Sequence, residues 1–274
     1  MSRTLRCGLI GAGIGASRLS AALEIMCVAH GMTLAFTAID SDADPEFDFD
    51  DTVEMLRLDG WDGVTVTHPW KPHAADWAGD RMVSGTETLG AANTLTFSPI
   101  RGHNTDFTGF LAAWRAVMDR PPGSVAVAGA GGVARAVVPA LIALGAGPVT
   151  IWDHNAAAAS ALAVLTGASA IPAAAAADAV RAAEGLVNAT PLGMHGHPGT
   201  AIPAALFGRQ AWAFDAVYTP TNTPFLTDAR RAGLSVMTGF DLFRHMAMDS
   251  FTAYTGHRPD PAPTLAALDA LRPD

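Results

Sequence analysis

Short β-branched or apolar runs alternate with longer apolar stretches along the chain. Residues 6–10 read as a strand, residues 11–17 as a tight glycine-rich turn, and the stretch to about His30 as a helix that Ser17 is placed to cap. Residues 33–40 form a second strand ending on Asp40, residues 41–51 an aspartate-crowded loop, and residues 52–58 a short helix. Val64, Thr65, Val66 and Thr67 suit a buried strand. Pro69, with no N–H to give a sheet, stops it, and Lys71 stands just past its end, ahead of another helix. Residues 91–96 and 101–104 form a strand pair, and Thr105-Asp106 opens a helix to about Met118.

Pro121-Pro122-Gly123 then breaks the chain, and on this pattern a domain boundary falls near there. Residues 124–128 are a strand, residues 129–135 open a long apolar helix, and residues 149–153 are the next strand. Two alanine-rich stretches from Ala156 and Ala173 read as helices, the second despite its low complexity. Residues 185–188, 212–215 and 234–237 are further strands, and residues 240–254 a closing helix. Strands alternating with helices at this spacing imply a parallel, doubly wound sheet, and two such α/β units fit 274 residues.

Half of the residues are hydrophobic and 16% are charged, which supports a sizeable core and excludes global disorder. A net charge of -9, without a basic run, argues against a nucleic-acid surface. Cys7 and Cys27 make neither a disulfide framework nor a zinc spacing. The opening Met-Ser-Arg-Thr-Leu-Arg has no signal-type apolar region, and no apolar segment reaches the ~18 residues of a membrane span. A reducing cytoplasm is the expected compartment, with no membrane partner.

Of the 17 basic residues 16 are arginine, so Lys71 is the only lysine. Moving a proton to and from a substrate oxygen suits a lysine, whereas arginine stays protonated. Taken alone, Lys71 is either that group or the survivor of an arginine-biased composition. Two loops match the dinucleotide pattern G-x-G-x-x-A, at Gly11, Gly13 and Ala16 and at Gly129, Gly131 and Ala134. Each follows a strand, opens a helix and is followed by a strand ending on an aspartate. Asp153 lies 24 residues past Gly129 and Asp40 lies 29 past Gly11, so spacing favours the second against an expected ~20. Either loop alone is a weak signal.

Thr65-Val66-Thr67-His68-Pro69-Trp70-Lys71, Gly90-Ala91-Ala92-Asn93-Thr94 and the run from Gly102-His103-Asn104-Thr105-Asp106 to Phe110 resemble the shikimate dehydrogenase family in order and spacing. Gly129-Ala130-Gly131-Gly132-Val133-Ala134-Arg135 matches its cofactor loop, and Asn188-Ala189-Thr190-Pro191-Leu192-Gly193-Met194 its later signature. Ser17-Arg18 and His197-Pro198-Gly199-Thr200 look most like its quinate/shikimate dehydrogenase branch. The resemblance implies an N-terminal α/β substrate domain with a mainly parallel sheet over residues 1–110 and a Rossmann-like dinucleotide domain over 111–239. Residues 240–274 would be a closing helix packed back onto the first, with the active site in the cleft between the domains.

On this resemblance Lys71 and Asp106 are the proton-transfer pair, Ser17 holds a substrate carboxylate, and Thr67, Asn93 and Tyr218 bind substrate hydroxyls. Read alone, Asp106 in Asn104-Thr105-Asp106 is equally a helix cap. Gly129, Ala130, Gly131, Gly132, Val133, Asp153, Ala216 and Gly239 are the implied cofactor residues, which leaves the first glycine loop without a cofactor. NADP users of the family carry Asn-Arg-Thr where this chain has Asp153-His154-Asn155. A carboxylate there accepts from a ribose 2′-OH and repels a 2′-phosphate, so NAD is expected over NADP.

Three positions depart from the family. Leu19 replaces a second carboxylate-binding hydroxyl, Thr65 replaces an asparagine, and Met246 aligns with a substrate-binding glutamine. The substrate is therefore a related, less polar cyclic hydroxy acid, or else shikimate or quinate with Ser20, water or His245 compensating for Leu19 and Met246. A homodimer is compatible with the resemblance. His195 and His197 flank Gly196, but no third ligand has usable spacing, so no metal is expected. His68 reads equally as a site residue or a turn residue. The run from Cys7 to Gly15 also resembles oxidoreductases with an N-terminal Rossmann domain, whose long β-rich second domain has no room here. A dinucleotide-binding sensor without turnover is the alternative of another class, against which Lys71 and Asp106 stand together.

Overall fold

β1 (Thr4–Gly11), buried from Cys7 onward, is the axis of the first half of the chain. The computed structural model describes residues 3–274, with Ala16 described by its backbone alone, so the expectations for the first two residues and the Ala16 side chain lie outside the described residues. α1 (Leu19–Ala29), β2 (Thr33–Asp40), α2 (Phe49–Leu58), β3 (Gly63–Val66), α3 (Lys71–Ala78), β4 (Thr94–Phe97), β5 (Ile100–His103) and α4 (Thr105–Val117) follow. The sheet order is β2-β1-β3-β4-β5, parallel between β2, β1 and β3 and antiparallel across β4, because Ser98 and Pro99 close a hairpin with β5. All four residues of β3 are buried, as in a strand covered on both faces.

The second half contains β6 (Val125–Ala128), α5 (Ala134–Ala143), β7 (Val149–Trp152), α6 (Ala156–Thr166), β8 (Ser169–Ala170), α7 (Ala176–Ala182), β9 (Gly185–Asn188), β10 (Trp212–Asp215), α8 (Pro224–Arg231), β11 (Ser235–Thr238) and α9 (Gly239–Thr255). Its six strands are all parallel in the order β11-β10-β9-β6-β7-β8. Numbered from β6 this is 3-2-1-4-5-6 read from the β8 edge, the order of a dinucleotide-binding Rossmann sheet, with its switch point between β6 and β9.

Packing divides the chain into Met1–Gly109 with Arg244–Leu271, and Phe110–Phe243 with Arg272–Asp274. The division falls inside α4 rather than at Pro121-Pro122-Gly123, because Phe110 meets Phe214 edge-on at 5.0 Å and Trp114 meets Trp212 at 4.7 Å. The expected closing helix over 240–274 is two helices. Gly256 takes φ 74 and ends α9, and Asp260 caps α10 (Pro261–Leu268). The last three residues group with the second unit, where Arg272 lies 4.8 Å over the Phe240 ring.

Ser17 does not occupy the cap of α1. Arg18 does, and the Ser17 hydroxyl accepts the Leu19 N–H at 3.3 Å. Two elements are absent from the hydrophobic pattern: β8, only two residues long, and α8, marked by Thr223 accepting the Leu226 N–H and by Pro224 at its first position. Among the described residues no helix is long and apolar enough to cross a membrane.

Candidate active site

The first unit gathers its polar residues at one edge of its sheet by register. Ile10 of β1 pairs with Val66 of β3, so both strands end together, and Thr67 donates its N–H to Ile10 O at 2.9 Å. Val66 N–H donates to Asn93 O at 2.8 Å and Asn93 N–H to His103 O at 2.9 Å, which brings the start of β4 and the end of β5 to the same edge. Ala92 N–H binds the Lys71 carbonyl at 2.9 Å. Residues 67, 71, 93 and 106 thus leave the sheet from adjacent strand ends.

There the Lys71 ammonium makes a short, direct ion pair with Asp106. Their side chains are 14% and 11% exposed, so water screens the pair little. Lys71 begins α3 and Asp106 lies in the first turn of α4. A helix N-terminus favours the carboxylate and opposes the ammonium, so the pairing offsets an unfavourable position for the cation. Asn104 rather than Asp106 caps α4, accepting the Phe107 N–H at 3.0 Å, and so the side chain of Asp106 is left for Lys71.

Asn93 is 2% exposed, and its Oδ1 accepts the Thr105 N–H at 2.7 Å and the Thr105 hydroxyl at 3.0 Å, which fixes its amide plane. The hydroxyls of Thr94, Thr105 and Ser250 cluster beside it at 3.0–3.2 Å. Ser250 also donates to the Met246 sulfur at 3.7 Å. Met246 further sits where α9 crosses α4, since a Cβ on Gly109 would lie 2.7 Å from Met246 N. Ser17 is exposed and Thr67 half-buried.

The three departures part company here. Thr65 is 4% exposed and shares a hydrogen bond of 2.7 Å with the Tyr254 hydroxyl, a core contact rather than a substrate position. Burial pushes the Tyr254 hydroxyl pKa well up, which keeps it neutral. Leu19 is 2% exposed and begins the core stripe of α1 with Ala22, Leu23 and Met26. Met246 alone of the three is half-buried.

The two glycine loops differ in what lies against them. In the first, a Cβ on Gly11 would lie 2.2 Å from Thr67 Cγ2 and 3.1 Å from His68 O. Its amides are taken by the chain, Ala12 N–H by His68 O at 2.9 Å and Gly13 N–H by Asp40 Oδ1 at 3.0 Å. His68 thus serves in the turn through its backbone. In the second, Gly129 has φ +100 and approaches the Ala189 backbone so closely that a Cβ would lie 2.7 Å from it. Gly131 is exposed, and a Cβ there would meet nothing within 4 Å. Neither chain packing nor a positive φ demands glycine at 131, which fits close approach by a ligand to the start of α5. The residues present therefore suit a dinucleotide pyrophosphate.

Asp153 follows β7 with its side chain 10% exposed. It accepts the Ala130 N–H at 2.7 Å and the Asn155 N–H at 2.8 Å, and His154 Nδ1 lies 2.8 Å away. The carboxylate is thereby tied to the glycine loop, with Gly132 and Val133 leading into α5.

Ala216 and Gly239 meet directly: a Cβ on Gly239 would lie 2.4 Å from Ala216 O. Gly239→Ala is expected to displace the Ala216 turn and to cost about 1–3 kcal/mol in urea unfolding. Unchanged stability would show that the turn yields freely. Tyr218 stacks on Phe243 with ring centroids 5.3 Å apart and planes at 10°. His195 and His197 are exposed, and among the described residues no three His, Cys, Asp or Glu side chains form a metal-type group.

Sequence reasoning missed two residues. Asn188 was read only as part of a signature and Asp215 only as the end of a strand. Both are fully buried and hydrogen-bonded to each other at 3.0 Å, and burial pushes the Asp215 pKa up to about 6 against three hydrogen bonds that hold it down. A strand ending on a carboxylate, followed by Thr223-Pro224, is the signal that was available.

Comparison with known proteins decides the family. A model of the shikimate dehydrogenase substrate binding domain matches residues 9–95. Shikimate dehydrogenase (NADP(+)) of Streptomyces avermitilis is 38% identical over 277 residues, spanning 96% of this chain and 94% of that protein. The chain belongs to the shikimate dehydrogenase family. Another member of the shikimate dehydrogenase family, the quinate/shikimate dehydrogenase (NAD(+)) of Corynebacterium efficiens, is 34% identical over 92% of this chain and 93% of its own. Quinate dehydrogenase from Corynebacterium glutamicum, solved in complex with NAD, matches with a TM-score of 0.91 at 31% identity, over 98% of this chain and 99% of that one.

Proposed function

We propose that this protein is an NAD-linked dehydrogenase that interconverts shikimate or quinate, or a less polar cyclic hydroxy acid, with the 3-dehydro ketone. The observation that supports it most is the Lys71–Asp106 pair at the sheet edge of the first unit. A bound nicotinamide supplies a place for the carbinol hydride to go and to return from. In the oxidation Lys71 Nζ, as the amine, takes the hydroxyl proton, and in the reduction its ammonium returns a proton to the ketone oxygen. Asp106 keeps the lysine in place and balances its charge. Ser17 meets the carboxylate beside the N-terminus of α1, and Thr67 and Asn93 of the same unit meet the ring hydroxyls. With Cys7 and Cys27 buried as free thiols, a reducing cytoplasm suits the protein.

The preference for NAD draws support from Asp153, a carboxylate at the end of the strand after the glycine loop, which would accept from a ribose 2′-OH and repel a 2′-phosphate. Met246, with its sulfur on Ser250, favours the less polar substrate over one read by a glutamine. The test is the rise in nicotinamide absorbance with NAD or NADP and a panel of shikimate, quinate and less hydroxylated ring acids. NAD-linked oxidation of shikimate or quinate is expected, and silence on every ring acid would sink the reading. Met246→Gln is expected to raise kcat/KM for shikimate about 10-fold or more relative to a less hydroxylated analogue. Leu19→Thr, by contrast, should chiefly lower stability, by about 1–3 kcal/mol. If Met246→Gln leaves the ratio unchanged, position 246 does not read the substrate.

A further inference from the structure

Asp215 is the last residue of β10 and is fully buried. Its Oδ1 accepts the Val217 N–H and the Asn188 Nδ2–H, each at 3.0 Å, and its Oδ2 accepts the Thr223 hydroxyl at 2.6 Å. Two of these donors cannot turn round, since a backbone N–H and an amide NH2 only donate. The Thr223 hydroxyl, which accepts the Leu226 N–H at 3.2 Å, could accept from a protonated carboxyl only by giving up its own donation to it. Asn188 is equally fixed, because its Nδ2 also donates to Leu192 O at 3.0 Å while its Oδ1 accepts the Thr190 N–H at 3.0 Å and hydroxyl at 2.7 Å.

These bonds run from one wall of the proposed dinucleotide site to another. Thr190 lies against Gly129, whose Cβ would fall 3.0 Å from its methyl, and Val217 follows Ala216, against which Gly239 is packed. We propose that Asp215, as a carboxylate, is the positioning residue that joins the Thr190 wall, the Ala216–Val217 turn and the start of α8 into one preformed dinucleotide surface. This rests on the function proposed above. A neutral group at this position would present a hydrogen to a ring of donors and leave at least one of them without an acceptor.

The elements packed most closely on β10 are β9, β11 and α8. β9 and β11 carry no titratable side chain, and Thr238 of β11 is the register partner of Asp215. On α8, Asp228 pairs with Arg231 at 3.4 Å and Arg230 binds Asn222 at 2.9 Å. Asp241, at the start of α9, accepts from Thr238. Tyr218 lies in the following turn. No charged partner from these elements is hydrogen-bonded to Asp215 among the described residues, which agrees with burial pushing its pKa up to about 6. As pH falls through that value the carboxylate takes a proton and the junction loses acceptors.

The experiment is calorimetric titration of NAD+ alone into wild type, Asp215→Asn and Thr223→Val at pH 8, 7 and 5, with thermal unfolding run beside it. NAD+ is the probe because a 2′-phosphate, with a pKa of about 6, would itself titrate in this window. Wild-type affinity is expected to fall about 10-fold between pH 7 and 5, following a group with a pKa of about 6. Asp215→Asn is expected to bind about 10–100-fold more weakly at pH 7 and with no pH dependence. Thr223→Val keeps the carboxylate but removes its link to the start of α8 and a bond that lowers its pKa. It should therefore bind somewhat more weakly than wild type at pH 8 and lose affinity at a higher pH than wild type does. Wild-type-like binding by Asp215→Asn, or loss of melting temperature alone, overturns the proposal while leaving the function intact. If Asp215→Asn does not fold, the Thr223→Val shift decides. Wild type that binds no dinucleotide at any pH overturns both.

Discussion

Lys71→Ala is expected to lower kcat by about 10²–10⁴-fold, the range for loss of a positioned general acid or base. Dinucleotide affinity should be unchanged, because Lys71 belongs to the first unit and the glycine loop to the second. Steady-state kinetics with saturating ring acid, beside calorimetry with NAD+, reads both quantities. Lys71→Arg should not restore the rate, since a guanidinium keeps its proton at any working pH and its fork differs from a point ammonium. A Lys71→Ala enzyme with wild-type kcat would remove proton transfer from this residue. Equal loss of dinucleotide binding would instead mean that the substitution had disturbed the fold.

Cofactor choice should reverse with a change at two adjacent positions. Wild type is expected to prefer NAD over NADP by about 10–10³-fold in kcat/KM, as a few kcal/mol of repulsion between a phosphate and a carboxylate at partly screened contact distance implies. Asp153→Ser with His154→Arg removes the carboxylate and offers a guanidinium to the phosphate, and the preference should swing to NADP. The double variant is expected to lose some NAD affinity as well, because Asp153 also holds the Ala130 N–H at 2.7 Å. Comparable efficiency of the wild type with both dinucleotides would overturn the assignment. The relatives include both an NADP(+) and an NAD(+) enzyme, so membership of the family leaves this choice to the residues themselves.

The strand–helix alternation was legible because it is written locally, in β-branched runs, glycine turns and prolines. Lys71 stood out through composition, and its pairing with Asp106 followed from motif order. Contacts between distant residues were not legible. Thr65 looked like a substrate position until Tyr254, 189 residues away, proved to hold its hydroxyl. The break between units could not be placed from Pro121-Pro122-Gly123, because Phe110 and Trp114 commit the end of α4 to partners about a hundred residues later. Spacing favoured the second glycine loop without deciding it, since what distinguishes the two is Thr67 and His68 lying across the first. Asp215 escaped because a carboxylate at a strand end reads as solvent-facing until the donors around it are known.

The closure of the first glycine loop on Thr67 and His68 also bears on the entropy of catalysis. Backbone bonds from Thr67 to Ile10, from Ala12 to His68 and from Ala92 to Lys71 fix the chain on both sides of Lys71, the proposed proton-transfer residue. Ordering a residue's backbone costs about 1–2 kcal/mol, and here that cost falls on folding rather than on substrate binding. The lysine's main chain has little freedom left to lose when a ring acid arrives. Binding energy from the acid's carboxylate and hydroxyls is therefore free to act on the orientation of the reacting carbon, not on assembling the residue that meets it.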